Sequence, residues 1–192
     1  GPYIQSERLP LYKKHAEQIV VNHKAYYCFC TKDRLEKLRL DQQQQGLPTT
    51  RYDRLCLKLS KTEITDKLKT GLPYVIRLKV PQSGQVSWQD LIQGKIKFDL
   101  HSIDDQILLK SDGYPTYHLG VVVDDYLMKI THVLRGSEWI SSTPKHLLIY
   151  QALSWEIPEI GHFPIILGPD KAKLSKRHGA KSVLDYRDEG YL

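Results

Sequence analysis

The sequence predicts an α/β fold in which a parallel sheet is interrupted by an inserted α+β module. Three observations predict it: an amphipathic helical pattern near the start, strand-like alternation in the middle, and helices that alternate with short apolar strands after residue 113. The last pattern is typical of parallel βαβ units. We therefore expect core segments at residues 1–25 and 114–192, with the inserted module at residues 26–113.

Three helices are expected in the first part of the chain. Apolar residues recur at i, i+4, i+7 and i+8 from Tyr12 onward, which predicts an amphipathic helix over residues 6–23. Pro10 is tolerated there because it lies in the first turn. Residues 31–45 predict a second, more solvated helix. A third helix begins near Ser60 and is stopped by Gly71.

The middle of the chain changes to the period of a strand. Residues 74–80 are β-branched, aromatic and charged in alternation, which predicts a half-buried strand with Val75, Arg77 and Lys79 on one face. Further short strands are expected at residues 85–88, 95–100 and 106–110.

After the turn at residues 111–115, helices and strands alternate. Helices are expected over residues 116–127 and 143–155, and buried strands over residues 130–134 and 163–167. Open parallel sheets bind ligands at the carboxyl ends of their strands. The residues that follow Leu134 and Leu167 are therefore the places where a site is expected.

The composition excludes several classes of protein. The 192 residues are 41% hydrophobic, enough for a core, and no uncharged apolar run is long enough to span a bilayer, so no membrane partner is expected. Lys and Arg outnumber Asp and Glu by 28 to 22, and the charge of +6 is compatible with a polyanionic partner. Three cysteines are too few for a disulfide-stapled secreted domain, which favours an intracellular compartment. No targeting segment is visible, and both ends look cut.

The first candidate site follows Leu134. Arg135 offers a planar fork that can clamp a carboxylate, Gly136 permits close approach, and Glu138 can accept hydrogen bonds from a ribose or an amine. Trp139 can wall a ring. The alternative is a surface Arg–Glu pair beside a core Trp.

The second candidate site follows Leu167. Residues 168–179 are rich in Lys, Arg, His and Gly, and a loop of this kind can wrap a polyphosphate. A generic solvated basic loop is the alternative. The sequence within it is Lys173-Leu174-Ser175-Lys176-Arg177.

That pentapeptide is similar to the Lys-Met-Ser-Lys-Ser signature of class I aminoacyl-tRNA synthetases. Nearly the whole chain resembles the bacterial-type glutamyl members of this class. The resemblance is carried, in order, by residues 1–8, 110–119, 122–125, 135–139 and 142–146, and then by the pentapeptide. It implies a Rossmann-like catalytic core with an inserted module that packs against the acceptor end of tRNA.

The resemblance also implies roles for individual residues. Tyr117 would line the glutamate pocket, and Arg135 would bind the amino acid. Val121 stands where the family usually has an Asn that contacts the substrate, and a valine side chain cannot make that hydrogen bond. Glu138 would lie on the ribose side of ATP. The signature loop would hold the ATP phosphates, with Lys173 and Lys176 acting in catalysis beside Leu174, Ser175 and Arg177.

The implied activity is ligation of glutamate to tRNA(Glu) through glutamyl-adenylate, with ATP as substrate and Mg²⁺ on its phosphates. A monomer is expected. Val121, the Gln run at residues 42–45 and the basic balance favour a mitochondrial enzyme over a bacterial cytoplasmic one. No His-x-Gly-His signature precedes Gly1, so we expect the chain by itself to be inactive.

The three cysteines are candidate zinc ligands. Some family members hold zinc with Cys-x-Cys followed about 24 residues later by Cys-x-His. Here Cys28 and Cys30 are followed by Cys56 and then by Lys58. Three thiols without a fourth Cys or His leave a structural zinc site incomplete, unless folding brings His101 or His23 close to them. The sequence therefore favours three reduced thiols and no metal.

Two other functions remain open. One related class transfers glutamate to a modified nucleoside in a tRNA anticodon with the same core. The other possibility is a tRNA-binding homologue that has lost the chemistry, against which the intact Arg135, Lys173 and Lys176 argue. Specificity for glutamine is disfavoured, because the context of the signature is glutamyl in type.

Overall fold

The computed structural model describes residues 3–167, 183–188 and 190. Within these residues the helices are α1 (Leu9–Val21), α2 (Lys32–Gln44), α3 (Lys61–Lys69), α4 (Tyr117–Leu127), α5 (Thr143–Leu153) and α6 (Val183–Asp188). The strands are β1 (Ala25–Cys28), β2 (Val75–Leu78), β3 (Gln85–Asp90), β4 (Gly94–Asp99), β5 (Ile107–Leu109), β6 (His132–Gly136) and β7 (Glu159–Phe163).

The five helices predicted from periodicity and caps are confirmed as α1 to α5. Pro10 lies in the first turn of α1, where its missing N–H costs no helical hydrogen bond. Helix α3 begins with a capping box, in which Ser60 accepts from the backbone of Glu63 and the Glu63 carboxylate accepts from the backbone of Ser60. Thr31 caps α2 in the simpler way, by accepting from the Arg34 N–H.

The strands form two sheets. Strands β1, β2 and β5 make an antiparallel sheet with β2 in the centre. The second sheet has the order β4-β3-β7-β6, in which β7 is parallel to both β3 and β6 while β3 and β4 form an antiparallel hairpin. The predicted α/β class with a parallel sheet is confirmed.

The prediction that β2 is half-buried is wrong. Ile76, Arg77 and Leu78 are all buried, because β2 is the central strand of its sheet and is covered on both faces. Arg77 is accommodated by stacking its guanidinium 4.2 Å from the ring centroid of Tyr52 and by donating to the backbone oxygen of Asp105.

The last predicted strand is also wrong in position. The strand runs over Glu159–Phe163, and the apolar residues Ile165, Ile166 and Leu167 beyond it are exposed. The packed strand has no room for a side chain at Gly161, since a Cβ there would lie 2.8 Å from a methyl group of Leu134 on the neighbouring strand. Strand β1 was not predicted.

One hydrophobic cluster joins residues from all three predicted segments. It includes Tyr12 and Ile19 of α1, Leu78 of β2, Val123 of α4 and Ile160 of β7. Strand β3, from the predicted insertion, pairs with β7 through Asp90 and Ile160. The boundaries at residues 26 and 113 stay predictions, but the segments on either side share a core.

Candidate active site

Arg135 lies near the carboxyl end of β6 and is held by three side chains. Its Nε donates to Nε2 of His162 at 3.2 Å, its Nη2 donates to Oγ1 of Thr143 at 2.8 Å, and its Nη1 lies 3.4 Å from Nδ1 of His146. Thr143 and His146 come from the first turn of α5, and His162 comes from β7. Two parallel strands and a helix N-terminus therefore converge on one guanidinium.

Two of the partners of Arg135, Thr143 and His146, carry no charge at physiological pH. Burial, followed by the positive charge of Arg135, lowers the pKa of His146 to about 3. Burial also lowers the pKa of His118 to about 4, with Lys145 and Arg135 acting in the same direction. Because the His146 ring and the Thr143 hydroxyl are neutral, neither compensates the positive charge of the guanidinium.

Three of the five guanidinium N–H groups of Arg135 are directed at these acceptors. The other two, one on each Nη, are geometrically suited to the paired oxygens of a carboxylate. That Arg135 binds a carboxylate stays a prediction.

His146 links Arg135 to His118 by hydrogen bonds. Its Nδ1 faces Arg135, which can only donate, so its proton sits on Nε2 and points to Nδ1 of His118 at 3.0 Å. His118 is therefore an acceptor at Nδ1 and a packing partner within the site.

Tyr117 is the first residue of α4 and lies beside His146. Its ring centroid lies 5.0 Å from that of Trp139 and 5.8 Å from that of His146, and its side chain is about half exposed. Val121 lies one turn further along α4 and is partly buried against the core. Tyr117 therefore contacts both Trp139 and His146, and His146 in turn contacts Arg135.

Glu138 lies three residues after Arg135, in the short 3-10 turn that follows β6. A Cβ at position 136 would collide with the Glu138 carboxylate, so glycine at 136 permits the fold-back of this side chain. Asp124, on α4, accepts from Arg8 at 3.0 Å and from the Tyr12 hydroxyl at 2.7 Å, and so ties α1 to α4.

The basic signature lies outside the described residues. Lys173, Leu174, Ser175, Lys176 and Arg177 are therefore named as predictions only.

Sequence reasoning missed the groups that surround Arg135, namely Asp90, Thr143, His146 and His162. Thr143 and His146 carried one signal, because they belong to the first turn of a helix that follows the strand bearing Arg135. Asp90 and His162 carried none, since they are 72 residues apart and meet only when β3 pairs with β7.

A second cluster joins the three cysteines. The sulfurs of Cys28, Cys30 and Cys56 all lie within 4.8 Å of one another. The hydroxyl of Tyr52 lies between them, 3.4 Å from the sulfur of Cys28 and 3.3 Å from that of Cys30. The sequence shows the three thiols, and the structure adds the Tyr52 phenol as their shared hydrogen-bonding partner.

The ionisation of these thiols is uneven. Burial opposes ionisation of Cys28, but hydrogen bonds with Tyr52, the Cys30 backbone and Arg77 outweigh it and lower its pKa. Burial raises the pKa of Cys30 to about 11, and the neighbouring sulfurs act in the same direction. Burial and the neighbouring thiols raise the pKa of Tyr52, so its phenol stays a neutral hydrogen-bonding group. The three sulfurs are close enough to act together as ligands of a soft metal such as zinc.

No helix among the described residues is long and apolar enough to cross a bilayer.

Comparison with known proteins identifies the family. Residues 1–192 match the family described as tRNA synthetases class I (E and Q), catalytic domain. The chain is 52% identical to the glutamate–tRNA ligase of Clostridioides difficile and 54% identical to that of Fusobacterium nucleatum, each over 192 residues. All of this chain is covered in both alignments, but only 39% and 38% of those two relatives.

Solved structures give the same result. A glutamate tRNA ligase from Elizabethkingia meningosepticum, in complex with its amino acid, is 36% identical with a TM-score of 0.87. The alignment covers 100% of this chain and 44% of that one. The glutamate-tRNA synthetase of Elizabethkingia anophelis is 37% identical with a TM-score of 0.85. The chain therefore belongs to the class I tRNA synthetase family for glutamate and glutamine and comprises part of its catalytic domain.

Proposed function

We propose that this chain is the catalytic region of a glutamate–tRNA ligase. The α-carboxylate of glutamate attacks the α-phosphate of ATP, forming an acyl–phosphate bond as the bond to pyrophosphate breaks. A hydroxyl of the terminal adenosine of tRNA(Glu) then attacks the acyl carbon and releases AMP. The carboxylate is already ionised at neutral pH, so the first step needs no side-chain base.

The observation that carries the proposal is the environment of Arg135. Its guanidinium contacts His162, Thr143 and His146 and retains two N–H groups for a ligand. A carboxylate of glutamate fits this charge and this fork geometry. The proposal draws on the relatives as well, since the curated ones named above are glutamate–tRNA ligases.

Positioning supplies most of the rate in a reaction of this kind. Tyr117 and Trp139 form the aromatic wall beside the proposed glutamate position, and Val121 continues the same helix face. Glu138, folded over Gly136, is assigned to the ribose side of ATP.

The remaining ATP contacts are assigned to the signature loop. Lys173 and Lys176 would neutralise the charge that develops on pyrophosphate, with Leu174, Ser175 and Arg177 completing the loop. Mg²⁺ would bind the ATP phosphates, because it prefers oxygen ligands. The thiol cluster of the described residues does not suit it.

Residues 26–113 are proposed to contact tRNA. On β4, Lys95 and Lys97 point to solvent while Ile96 and Phe98 pack against the core. Two lysines on one exposed strand face suit a phosphate backbone, which is positioned by charge without sequence readout. The relatives named above are bacterial and give no support to a mitochondrial compartment, so the proposal is for a bacterial-type enzyme. Its monomeric state stays a prediction.

Substitution of Arg135 in the complete enzyme tests the proposal. Arg135→Lys keeps the charge but loses the planar fork, and we expect kcat/KM for glutamate in ATP–pyrophosphate exchange with tRNA present to fall by about 10- to 100-fold. Arg187→Lys, at an exposed arginine of α6 outside residues 26–113, is the matched control. An Arg135→Lys enzyme with unchanged glutamate kinetics would disprove the assignment.

A further inference from the structure

We infer that Asp90 and His162 act together as positioning residues for Arg135, so that a carboxylate from the predicted insertion orients the arginine that meets the substrate. The inference deepens the proposed function, on which it rests for the identity of the ligand. Its geometric basis is independent of that ligand.

The three side chains form a directed chain of hydrogen bonds. Oδ2 of Asp90 lies 2.5 Å from Nδ1 of His162, and Nε2 of the same ring lies 3.2 Å from Nε of Arg135. Nε2 of His162 also lies 3.2 Å from Oγ1 of Thr143, whose hydroxyl can donate to it while accepting from Nη2 of Arg135. A guanidinium only donates, so Nε2 accepts from Arg135 and the ring proton sits on Nδ1. Asp90 must then accept that proton as an ionised carboxylate.

The surroundings keep Asp90 ionised in a buried position. The side chains of Asp90 and His162 are both fully shielded from solvent. Burial would raise the pKa of Asp90, but hydrogen bonds from His162 and from the backbone of Gln93, His162 and Ile92 outweigh it and hold the pKa well below its usual range.

The two oxygens of Asp90 have different tasks. Oδ1 accepts from the backbone N–H groups of Ile92, Gln93 and His162 at 3.0 to 3.1 Å, and so joins the end of β3 to β7. Oδ2 accepts from the His162 ring and, at 3.2 Å, from Nε1 of Trp88. One oxygen therefore maintains the sheet and the other sets the state of the imidazole.

This division allows one substitution to separate the two tasks. Asp90→Asn can keep an acceptor at the Oδ1 position while it places an N–H₂ donor against Nδ1 of His162. The ring would then accept at Nδ1 and carry its proton on Nε2, where it opposes the Nε–H of Arg135. We expect the guanidinium to lose this contact and its alignment with the substrate.

The test uses the complete enzyme and ATP–pyrophosphate exchange with tRNA present. Asp90→Asn is expected to raise KM for glutamate by about 10-fold and to change KM for ATP by less than about 2-fold. A histidine ¹⁵N spectrum is expected to show the His162 proton moving from Nδ1 to Nε2, with the signal assigned by its loss in His162→Gln.

A control is needed because the new amide also faces the indole N–H of Trp88. Trp88→Phe alone is expected to leave KM for glutamate unchanged. Combined with Asp90→Asn it removes the donor conflict, and the effect on glutamate is expected to remain. If the double variant is folded and binds glutamate normally, the inference is overturned. A parallel rise in KM for glutamate and for ATP, with a lowered Tm, would show a purely structural role and overturn it too.

The result is separable from the proposed function. If Arg135→Lys leaves glutamate kinetics unchanged, the proposed role of Arg135 fails, whereas the ¹⁵N spectrum of Asp90→Asn still reports whether Asp90 sets the tautomer that faces Arg135. A spectrum unchanged by Asp90→Asn would refute the positioning chain whatever the ligand is.

Discussion

The hydroxyl of Tyr26 donates a 2.7 Å hydrogen bond to the buried carboxylate of Asp105. The same carboxylate accepts from the guanidinium of Arg54 at 2.5 Å and from the backbone N–H of Val80 at 2.9 Å. Arg54 reaches it from a backbone in the left-handed region, with φ of 59°. Asp105 therefore joins β1, the end of β2 and the loop before residue 55 at a single acceptor.

Removing this acceptor should destabilise the chain strongly. Asp105→Ala leaves a partly buried guanidinium, a phenol and a backbone N–H without their acceptor, and we expect the free energy of unfolding to fall by about 3–5 kcal/mol. Tyr26→Phe removes one donor and leaves the others paired, so a loss of about 1–2 kcal/mol is expected. Urea unfolding of both variants measures the difference. A smaller loss for Asp105→Ala than for Tyr26→Phe would contradict the shared role.

The stability of the chain should fall in mild acid because of the histidines beside Arg135. His146 and His118 have pKa values lowered to about 3 and about 4, whereas an unfolded histidine titrates near about 6.5. Between about pH 6.5 and about pH 4 the unfolded chain binds more protons than the folded chain, so the free energy of unfolding decreases as the pH falls.

Urea unfolding between about pH 7 and about pH 5.5 measures this slope, and this window stays above the range in which carboxylates protonate in the unfolded chain. His146→Gln should reduce the slope by up to about 1.4 kcal/mol per pH unit, because one buried neutral histidine is removed. A slope that is identical in the wild type and in His146→Gln would contradict the assignment.

The thiol cluster predicts zinc binding. Cys28, Cys30 and Cys56 lie within 4.8 Å of one another, and Tyr52 supplies a nearby oxygen. We expect about one Zn²⁺ per chain and a release of protons on loading, because the pKa of the Cys30 thiol is raised to about 11 in the metal-free protein.

Metal analysis of the purified protein and zinc titration with a chromogenic chelator measure the binding. Cys56→Ala should abolish stoichiometric binding, whereas Tyr52→Phe should weaken it and keep the three thiolates. If protein expressed in zinc-supplemented medium contains no zinc and three thiols that react with a thiol reagent, the zinc prediction is wrong. The cysteines are then reduced thiols without a metal.

The exposed lysines of β4 should contribute to tRNA affinity through charge alone. Lys95→Ala with Lys97→Ala is expected to weaken tRNA binding by the complete enzyme and to reduce the slope of log K against log salt by about 2. KM for glutamate should not change. Lys13→Ala, an exposed lysine of α1 outside residues 26–113, is the matched control. An unchanged salt dependence in the double variant would exclude these lysines from the interface.

The sequence was sufficient for features that depend on local chemistry. Periodicity and capping residues located α1 to α5, and the apolar pattern before Arg135 predicted a strand where the structure has β6. The position of β7 could not be predicted in this way. Gly161 and His162 are buried because β7 packs beside its neighbouring strands, and the sequence of β7 alone does not show that. An apolar run such as residues 165–167 is ordinarily the better candidate for a buried strand.

The site was predictable only in part for the same reason. Arg135 and Tyr117 could be named because each stands in a recognisable motif at an element's end. The partners of Arg135 come from β3, β7 and α5, and their meeting depends on the order of strands in the sheet. Hydrogen bonds between residues far apart in the chain leave no periodic pattern, so spacing alone could not connect Asp90 with His162.

Val121 offers a gain-of-function test of the glutamate position. It lies one helical turn after Tyr117 on α4, partly buried, where the family pattern has a substrate-contacting Asn. Val121→Asn should supply a hydrogen bond to glutamate worth about 0.5–1.5 kcal/mol, which corresponds to a KM lower by about 2- to 10-fold. Val121→Leu, which adds volume and no polar group, is the control and should not lower KM. Exchange kinetics at varied glutamate decide the matter: if Val121→Asn keeps the fold but leaves KM unchanged or raises it, then α4 presents this position to the core and not to the substrate.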